Sequence, residues 1–244
     1  MPTLFISDLH LEVEKPELTR FFFNFLDKIA PNADALYILG DFFEVWVGDD
    51  EQTPLQVEVA QRLHRLAEAG TCIYLMHGNR DFLIGDTYAK QCGATLLEEP
   101  HSLDLYGVPS LLMHGDSLCT LDAAYQKARA TFRNPAFQSQ FLSRPLDQRQ
   151  LTARQMRQIS MAKNQGKAEE IMDVAPDEVI SAFNTYKIEL LIHGHTHRPD
   201  THRYNLPQGE VKRIVLGDWG DETWYGRADA DGFQLLNLKA EDIA

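Results

Sequence analysis

The chain has 244 residues, of which 44% are apolar and 10% aromatic, enough for a buried core and too many for global disorder. Its 36 acidic and 23 basic side chains leave a formal charge of −13, which argues against nucleic acid as a partner. Apolar runs such as Leu111-Leu112-Met113 and Leu190-Leu191-Ile192 fall far short of the ~20 residues that span a bilayer. The N-terminus lacks the basic stretch of a secretory signal, so a cytoplasmic protein is expected. Cys72, Cys92 and Cys119 show no CxxC spacing, which disfavours a thiolate metal site and suggests small core residues.

Leu4-Phe5-Ile6 reads as a buried strand that ends in Ser7-Asp8-Leu9-His10. A helix is expected over Glu17–Ile29, where Leu18, Phe22, Phe25 and Ile29 recur at helical spacing. Ala35–Leu39 is strand-like and ends at Gly40-Asp41, and Thr53–Ala69 is helix-like with Gly70 as its stop. Cys72–Met76 is the next strand and runs into His77-Gly78-Asn79-Arg80-Asp81. Further strand-like segments near Ser110–Met113, Glu189–Ile192 and Lys212–Leu216 end in His-Gly-Asp, His-Gly-His-Thr-His and Gly-Asp. Alternating strands and helices predict an α/β layered fold with helices packed outside the sheets. The stretch from Leu121 to about Phe183 looks mainly helical, with breaks near Asn134-Pro135 and Arg144-Pro145, and is expected to form a cap.

Charge is unevenly spread. Between Thr120 and Glu170 there are nine Lys or Arg against four Asp or Glu, a net +5 inside an otherwise acidic chain. That asymmetry points to an anionic partner at the insert or, more plainly, to a solvated helical face.

Polar clusters follow five of the apolar strands: Asp8-Leu9-His10, Gly40-Asp41-Phe42-Phe43-Glu44, Gly78-Asn79-Arg80-Asp81, His114-Gly115-Asp116 and Gly194-His195-Thr196-His197. The C-terminal ends of strands are where α/β folds gather their ligands. Residues two apart in extended chain point to one side, so Asp8 and His10 can face one ion, as can His195 and His197. Carboxylate, imidazole and amide donors together suit manganese, iron or zinc. Seven such donors exceed the needs of one ion, and a pair sharing a bridging carboxylate would ready a water while neutralising a phosphoryl group.

With all five clusters in this order over residues 8–197, the chain resembles the calcineurin-like metallophosphoesterases. That resemblance implies two packed sheets flanked by helices, formed by residues 1–244 as one domain with the cap at about 121–183. It implies Asp8, His10 and His197 on one ion, Asn79, His114 and His195 on the other, and Asp41 bridging them. Two manganese ions are the expected cofactor. His64, His77, His101, His193 and His202 match no ligand position. The motif Gly78-Asn79-Arg80-Asp81 and the helical insert are similar to a narrower branch that hydrolyses an acylated UDP-sugar in lipid A synthesis. A lipid substrate would need access to a bilayer, so peripheral association with the cytoplasmic face of the bacterial inner membrane is expected, with no obligate protein partner inferred. By the same resemblance Asn79, Arg80, Asp122, Ser160, Asn164, Lys167 and His195 would contact substrate.

Most of the wider family carries histidine where this chain has Arg80. Arginine releases no proton near neutrality, but its planar fork binds phosphate in bidentate fashion. It therefore suits a leaving group that is itself a phosphate, which favours diphosphate cleavage over monoester hydrolysis; pairing with Asp81 or Glu44 is the plainer role. On a helix, Ser160, Asn164 and Lys167 fall at i, i+4 and i+7 and share one face. Phe132, Phe137, Phe141, Leu142, Leu146, Met156, Ile159, Met161 and Met172 could pack the cap on the body or line a groove for acyl chains. Two other readings stay open: a dinuclear phosphodiesterase or pyrophosphatase for another nucleotide, and a metal-binding scaffold without catalysis.

Overall fold

The computed structural model describes the backbone of residues 1–164, 171–220 and 222–239, and side chains over those spans except 161–164. Three short parallel strands, β1 (Thr3–Ile6), β2 (Ala35–Leu39) and β3 (Cys72–Met76), are separated by helices α1 (Pro16–Lys28) and α2 (Pro54–Glu68). Helix α2 begins in a capping box, with the Thr53 hydroxyl accepting from Gln56 N and the Gln56 side chain accepting from Thr53 N. The short helix α3 (Asp86–Gln91) leads to β4 (Ala94–Leu97), which pairs parallel to β3. Antiparallel strands β10 (Thr223–Asp229) and β11 (Gly232–Leu238) complete a six-stranded sheet in the order β11-β10-β1-β2-β3-β4.

The second sheet holds β5 (His101–Leu105), β6 (Val108–Leu112), β7 (Leu190–His193), β8 (Asp200–Leu206) and β9 (Gly209–Val215), in the order β5-β6-β7-β9-β8. Phe5, Leu39, Met76, Leu112, Ile192 and Leu216 form one buried cluster drawn from both sheets, as facing layers require. Leu4, Ile6, Leu36 and Ile38 alternate with it and pack instead with Phe22, Phe25, Leu63 and Leu66 of α1 and α2. Sheet one therefore buries both faces, which is why its central strands read as unbroken apolar runs.

Between β6 and β7 lie α4 (Ala123–Phe132), α5 (Pro135–Leu142), α6 (Leu146–Asn164) and α7 (Pro176–Tyr186). Asp122 and Asn134 cap α4 and α5 by accepting from backbone N–H groups of their first turns. Helix α7 differs from the other three. Its Val179, Ala182 and Phe183 pack on Leu111 and Leu191 of the second sheet, so the cap expected to run to Phe183 ends earlier. Cys92 and Cys119 are buried, whereas Cys72, expected in the core, is exposed at the first position of β3.

Candidate metal centre and the pocket beside it

The five clusters leave β1, β2, β3, β6 and β7 at their C-terminal ends and converge. Backbone bonds lace the loops together: Asp8 N donates to Gly40 O at 3.0 Å, His10 N to Asp41 O at 2.9 Å, and Gly194 N to His114 O at 2.9 Å. Asp8, His10, Asp41, His195 and His197 all have φ between 48° and 67°, the left-handed region that non-glycine residues rarely occupy. Such strain persists only where surrounding structure over-determines it, and here it turns the donor side chains inward. Gly78 packs so closely on Asp41 that a Cβ there would collide with the Asp41 backbone and carboxylate. Gly194 is pressed in the same way against Asp8.

Two groups of donors result. Asp8, His10 and His197 form one, and Asp41, His114 and His195 the other, with the ligand atoms of each within 4.8 Å of one another. Asp41 lies between them: its Oδ2 is 3.8 Å from His10 Nε2 and its Oδ1 is 3.7 Å from His114 Nε2. Asn79 Oδ1 is 3.1 Å from His114 Nε2, which places the amide with the second group. His114 Nδ1 lies 2.9 Å from the Leu39 carbonyl; with the proton on that nitrogen, Nε2 is left as the electron-pair donor. Behind His10 Nδ1 stands Glu44 Oε2 at 2.8 Å, and behind His197 Nδ1 stands Asp218 Oδ2 at 3.5 Å.

The donor set fits divalent cations. Asp8 Oδ1 is fully buried and accepts no hydrogen bond. Burial lifts the Asp41 carboxyl above its usual value even with His114 and His10 beside it, so a cation is what would restore its charge. Burial, reinforced by the charge of His114, lowers His195 to about 3, leaving its lone pair available. For His114 burial works against protonation, but Asp41, Asp8, Asp116 and Glu99 outweigh it and raise the ring to about 9.

The calcineurin-like phosphoesterase family matches residues 1–199. The chain belongs to this family. Across 244 residues it is 93% identical to the UDP-2,3-diacylglucosamine hydrolase of Hahella chejuensis, covering all of both chains. The enzyme of the same name from Marinobacter nauticus is 58% identical over 100% of this chain and 99% of its own. That from Cellvibrio japonicus is 52% identical over 97% and 99%.

In this phosphoesterase a cavity of about 270 Å³ opens beside the metal centre, between the body and helices α4 to α6. Asn79, Arg80 and Glu44 line the side toward the donors, while Phe132, Phe137, Phe141, Met156, Ile159 and Ser160 come from the insert. Of the apolar residues singled out in the insert, Leu142 is instead exposed and Leu146 packs against the body's core. Arg80 Nε is buried without a hydrogen-bond partner, and its Nη1 is 3.7 Å from Glu44 Oε1. Asp81 is not its partner, being engaged elsewhere. Asp122 is half-buried at the start of α4, with Oδ1 accepting from Tyr125 N at 3.0 Å. The side chain of Asn164 and all of Lys167 lie outside the described residues.

Four acidic residues hold positioning roles that the sequence reading did not assign to them. Asp81 is wholly buried and accepts from three backbone N–H groups: Gly78 at 2.7 Å on Oδ1, Phe42 at 2.7 Å and Phe43 at 3.3 Å on Oδ2. It thereby pins the Asp41 loop to the Asn79 loop. Asp116 Oδ2 accepts from Tyr125 Oη at 2.6 Å and Arg129 Nε at 2.8 Å. Burial opposes its ionisation, but His114 and Arg129 outweigh that and hold the carboxyl well below the usual carboxylate range. Glu99 receives His114 N at 2.8 Å on one oxygen and Arg129 Nη2 at 3.0 Å on the other, tying α4 to the His114 loop. Glu44, the fourth, stands behind His10 and beside Arg80. Its place after Gly40-Asp41 was the only hint.

Proposed function

We propose that this chain hydrolyses the diphosphate of UDP-2,3-diacylglucosamine, giving UMP and 2,3-diacylglucosamine 1-phosphate. The observation that carries this reading is the juxtaposition of two donor groups, shared at Asp41, with an apolar cavity whose boundary toward them is Arg80. The full-length likeness to UDP-2,3-diacylglucosamine hydrolases supports the same substrate.

Asp8, His10 and His197 would hold one ion, Asn79, His114 and His195 the other, with Asp41 between. Manganese suits this mixture of imidazole, carboxylate and amide. Divalent cations held there would supply Lewis acidity for a phosphoryl oxygen and for a water, the reaction expected being attack of that water on the phosphorus nearest uridine. Arg80 clasps the phosphate that leaves with the acylated sugar, a leaving group that needs no proton. Phe132, Phe137, Phe141, Met156 and Ile159 receive acyl chain, and Ser160, Asp122, Asn164 and Lys167 meet the sugar and phosphate. The whole chain, residues 1–244, acts as one phosphoesterase domain carrying this cap. Among the described residues no helix is long and apolar enough to cross a membrane. The exposed Leu121, Leu142, Leu151, Met156 and Ile159, set among the insert's basic side chains, would let the cap touch the anionic cytoplasmic face of the inner membrane reversibly.

The test is turnover of UDP-2,3-diacylglucosamine with manganese in ¹⁸O-labelled water. Label in the UMP supports attack at that phosphorus. Label only in the sugar phosphate would reverse the assignment, and no UMP with any divalent ion would refute the activity.

A further inference from the structure

The donor groups differ in what stands behind their histidines. His114 Nδ1 faces the Leu39 carbonyl, a backbone atom that no substitution removes. His10 Nδ1 faces the side chain of Glu44, and that carboxylate is shared. Its other oxygen is 3.1 Å from Arg157 Nε on α6 and 3.7 Å from Arg80 Nη1. Arg157 also reaches Glu12 Oε2 at 3.3 Å, on the loop after β1. Glu44 is only 8% exposed, so little water competes for these contacts. It sits where the His10 loop, the Arg80 loop and the cap meet.

We propose that Glu44 is a positioning residue through which the cap helix α6 sets the metal centre. Its Oε2, 2.8 Å from His10 Nδ1, favours the tautomer protonated there, which leaves Nε2 free to donate to an ion. Its Oε1, clasped by Arg157, stops the carboxylate from swinging away from His10 and holds the Arg80 fork toward the same point. A carboxylate behind a metal-bound histidine fixes its tautomer and ring orientation, and losing one typically weakens metal binding 10–100-fold. Arg157 thus acts on an ion that it does not touch. The His114 ring of the second group, backed by the Leu39 carbonyl, does not depend on Glu44.

This inference rests on the dinuclear reading, and the experiment separates the two. Metal-free protein is titrated with Mn²⁺ alone, following the resonance of the free ion, so that no substrate or turnover enters. Wild type should take up two ions. Glu44→Gln should bind one of them roughly 10–100-fold more weakly and the other as wild type does. Arg157→Ala should weaken that same ion by a smaller factor, and the double variant should bind no more weakly than Glu44→Gln alone, because both substitutions break one linkage. Melting of each metal-free variant checks folding. If the Gln variant unfolds, Glu44→Asp, which keeps the charge but shortens the reach, should weaken the same ion. Glu44 variants that bind both ions as wild type does, or an Arg157 effect that adds in full to that of Glu44, would overturn the proposal. Wild-type protein that binds no Mn²⁺ would overturn the metal reading itself.

Discussion

Asp81 makes the sharpest test of how the metal loops are held, because replacing it with asparagine changes one atom and one charge at a site with no solvent. The carboxylate receives Gly78 N on one oxygen and Phe42 N and Phe43 N on the other. An asparagine oxygen can serve only one side, and its NH₂ then faces the N–H donors of the other. In the better orientation Phe42 and Phe43 keep their acceptor while Gly78 loses a charge-assisted bond worth about 1.5–3 kcal/mol and is left as a buried unpaired donor at about 1–3 kcal/mol. A loss of about 2.5 kcal/mol is therefore the least expected, which lowers Tm by roughly 5–10 °C in a chain of this size. Gly78 adjoins Asn79, and Phe42 adjoins Asp41, so both donors shift; a displacement of about 1 Å costs on the order of 10²-fold in rate. Thermal melting and UMP release on Asp81→Asn measure both. The exposed Asp27→Asn, which touches only Arg62 across the surface, should cost under about 1 kcal/mol. An Asp81→Asn protein that melts and turns over like wild type would show that the two loops keep their places without this carboxylate.

Asp41→Ala and Asn79→Ala should abolish turnover while circular dichroism stays native, and near-normal activity of either would remove the dinuclear reading. Arg80→Ala should lower kcat by roughly 10²–10³-fold with little loss of metal, the scale for removing one charge-stabilising group; elemental analysis showing both ions lost would mean that its role is structural. Gly78→Ala drives a methyl into Asp41, so activity should fall steeply, whereas Gly220→Ala, with nothing within 4 Å of the added carbon, should behave as wild type in both melting and turnover. Burial pushes Cys92 and Cys119 up to about 12, so at pH 8 native protein should label with maleimide at Cys72 alone, and mass spectrometry showing prompt labelling of either buried thiol would contradict the packing around it.

The metal centre was legible because its chemistry is written next to strands buried on both faces. Residues 4–6, 36–39, 73–76, 111–112 and 190–192 are continuous apolar runs, and each ends where the donors begin. The antiparallel edges were not legible. Strand β8 reads Asp-Thr-His-Arg-Tyr-Asn-Leu and alternates exposed with half-buried positions, so no apolar run marks it. In β10 Gly226 fits only because the Phe233 ring from β11 and the Phe5 side chain fill the space where its Cβ would stand. Gly and Arg inside a strand hide it from any pattern based on propensity. The strained backbone of five ligands was equally silent, since Asp and His carry no rule for positive φ comparable to that of glycine.

The insert's positive charge teaches the same lesson from the other side. Read along the chain, its arginines look like a docking face for an anion. In the structure three of those arginines answer the body's own acids: Arg129 binds Asp116 and Glu99, Arg149 binds Asp50, and Arg157 binds Glu12 and Glu44. Arg133 spends its guanidinium on the carbonyls of His77 and Gly78, at 3.4 and 3.0 Å. Each anchor lands on or next to a loop that carries a metal donor or flanks one. A cap held at so many points is tied down as a roof, because opening it would take Arg129 from the buried Asp116 and Arg157 from the buried Glu44. Arg80 is then the one arginine of the cavity whose Nε is buried without a partner among the described residues. Charge along the sequence cannot separate arginines that close a structure from one that waits for a ligand. That distinction depends on which acids lie opposite, and Glu12, Glu44 and Asp50 sit on the loops after β1 and β2, far back in the chain from the arginines they meet.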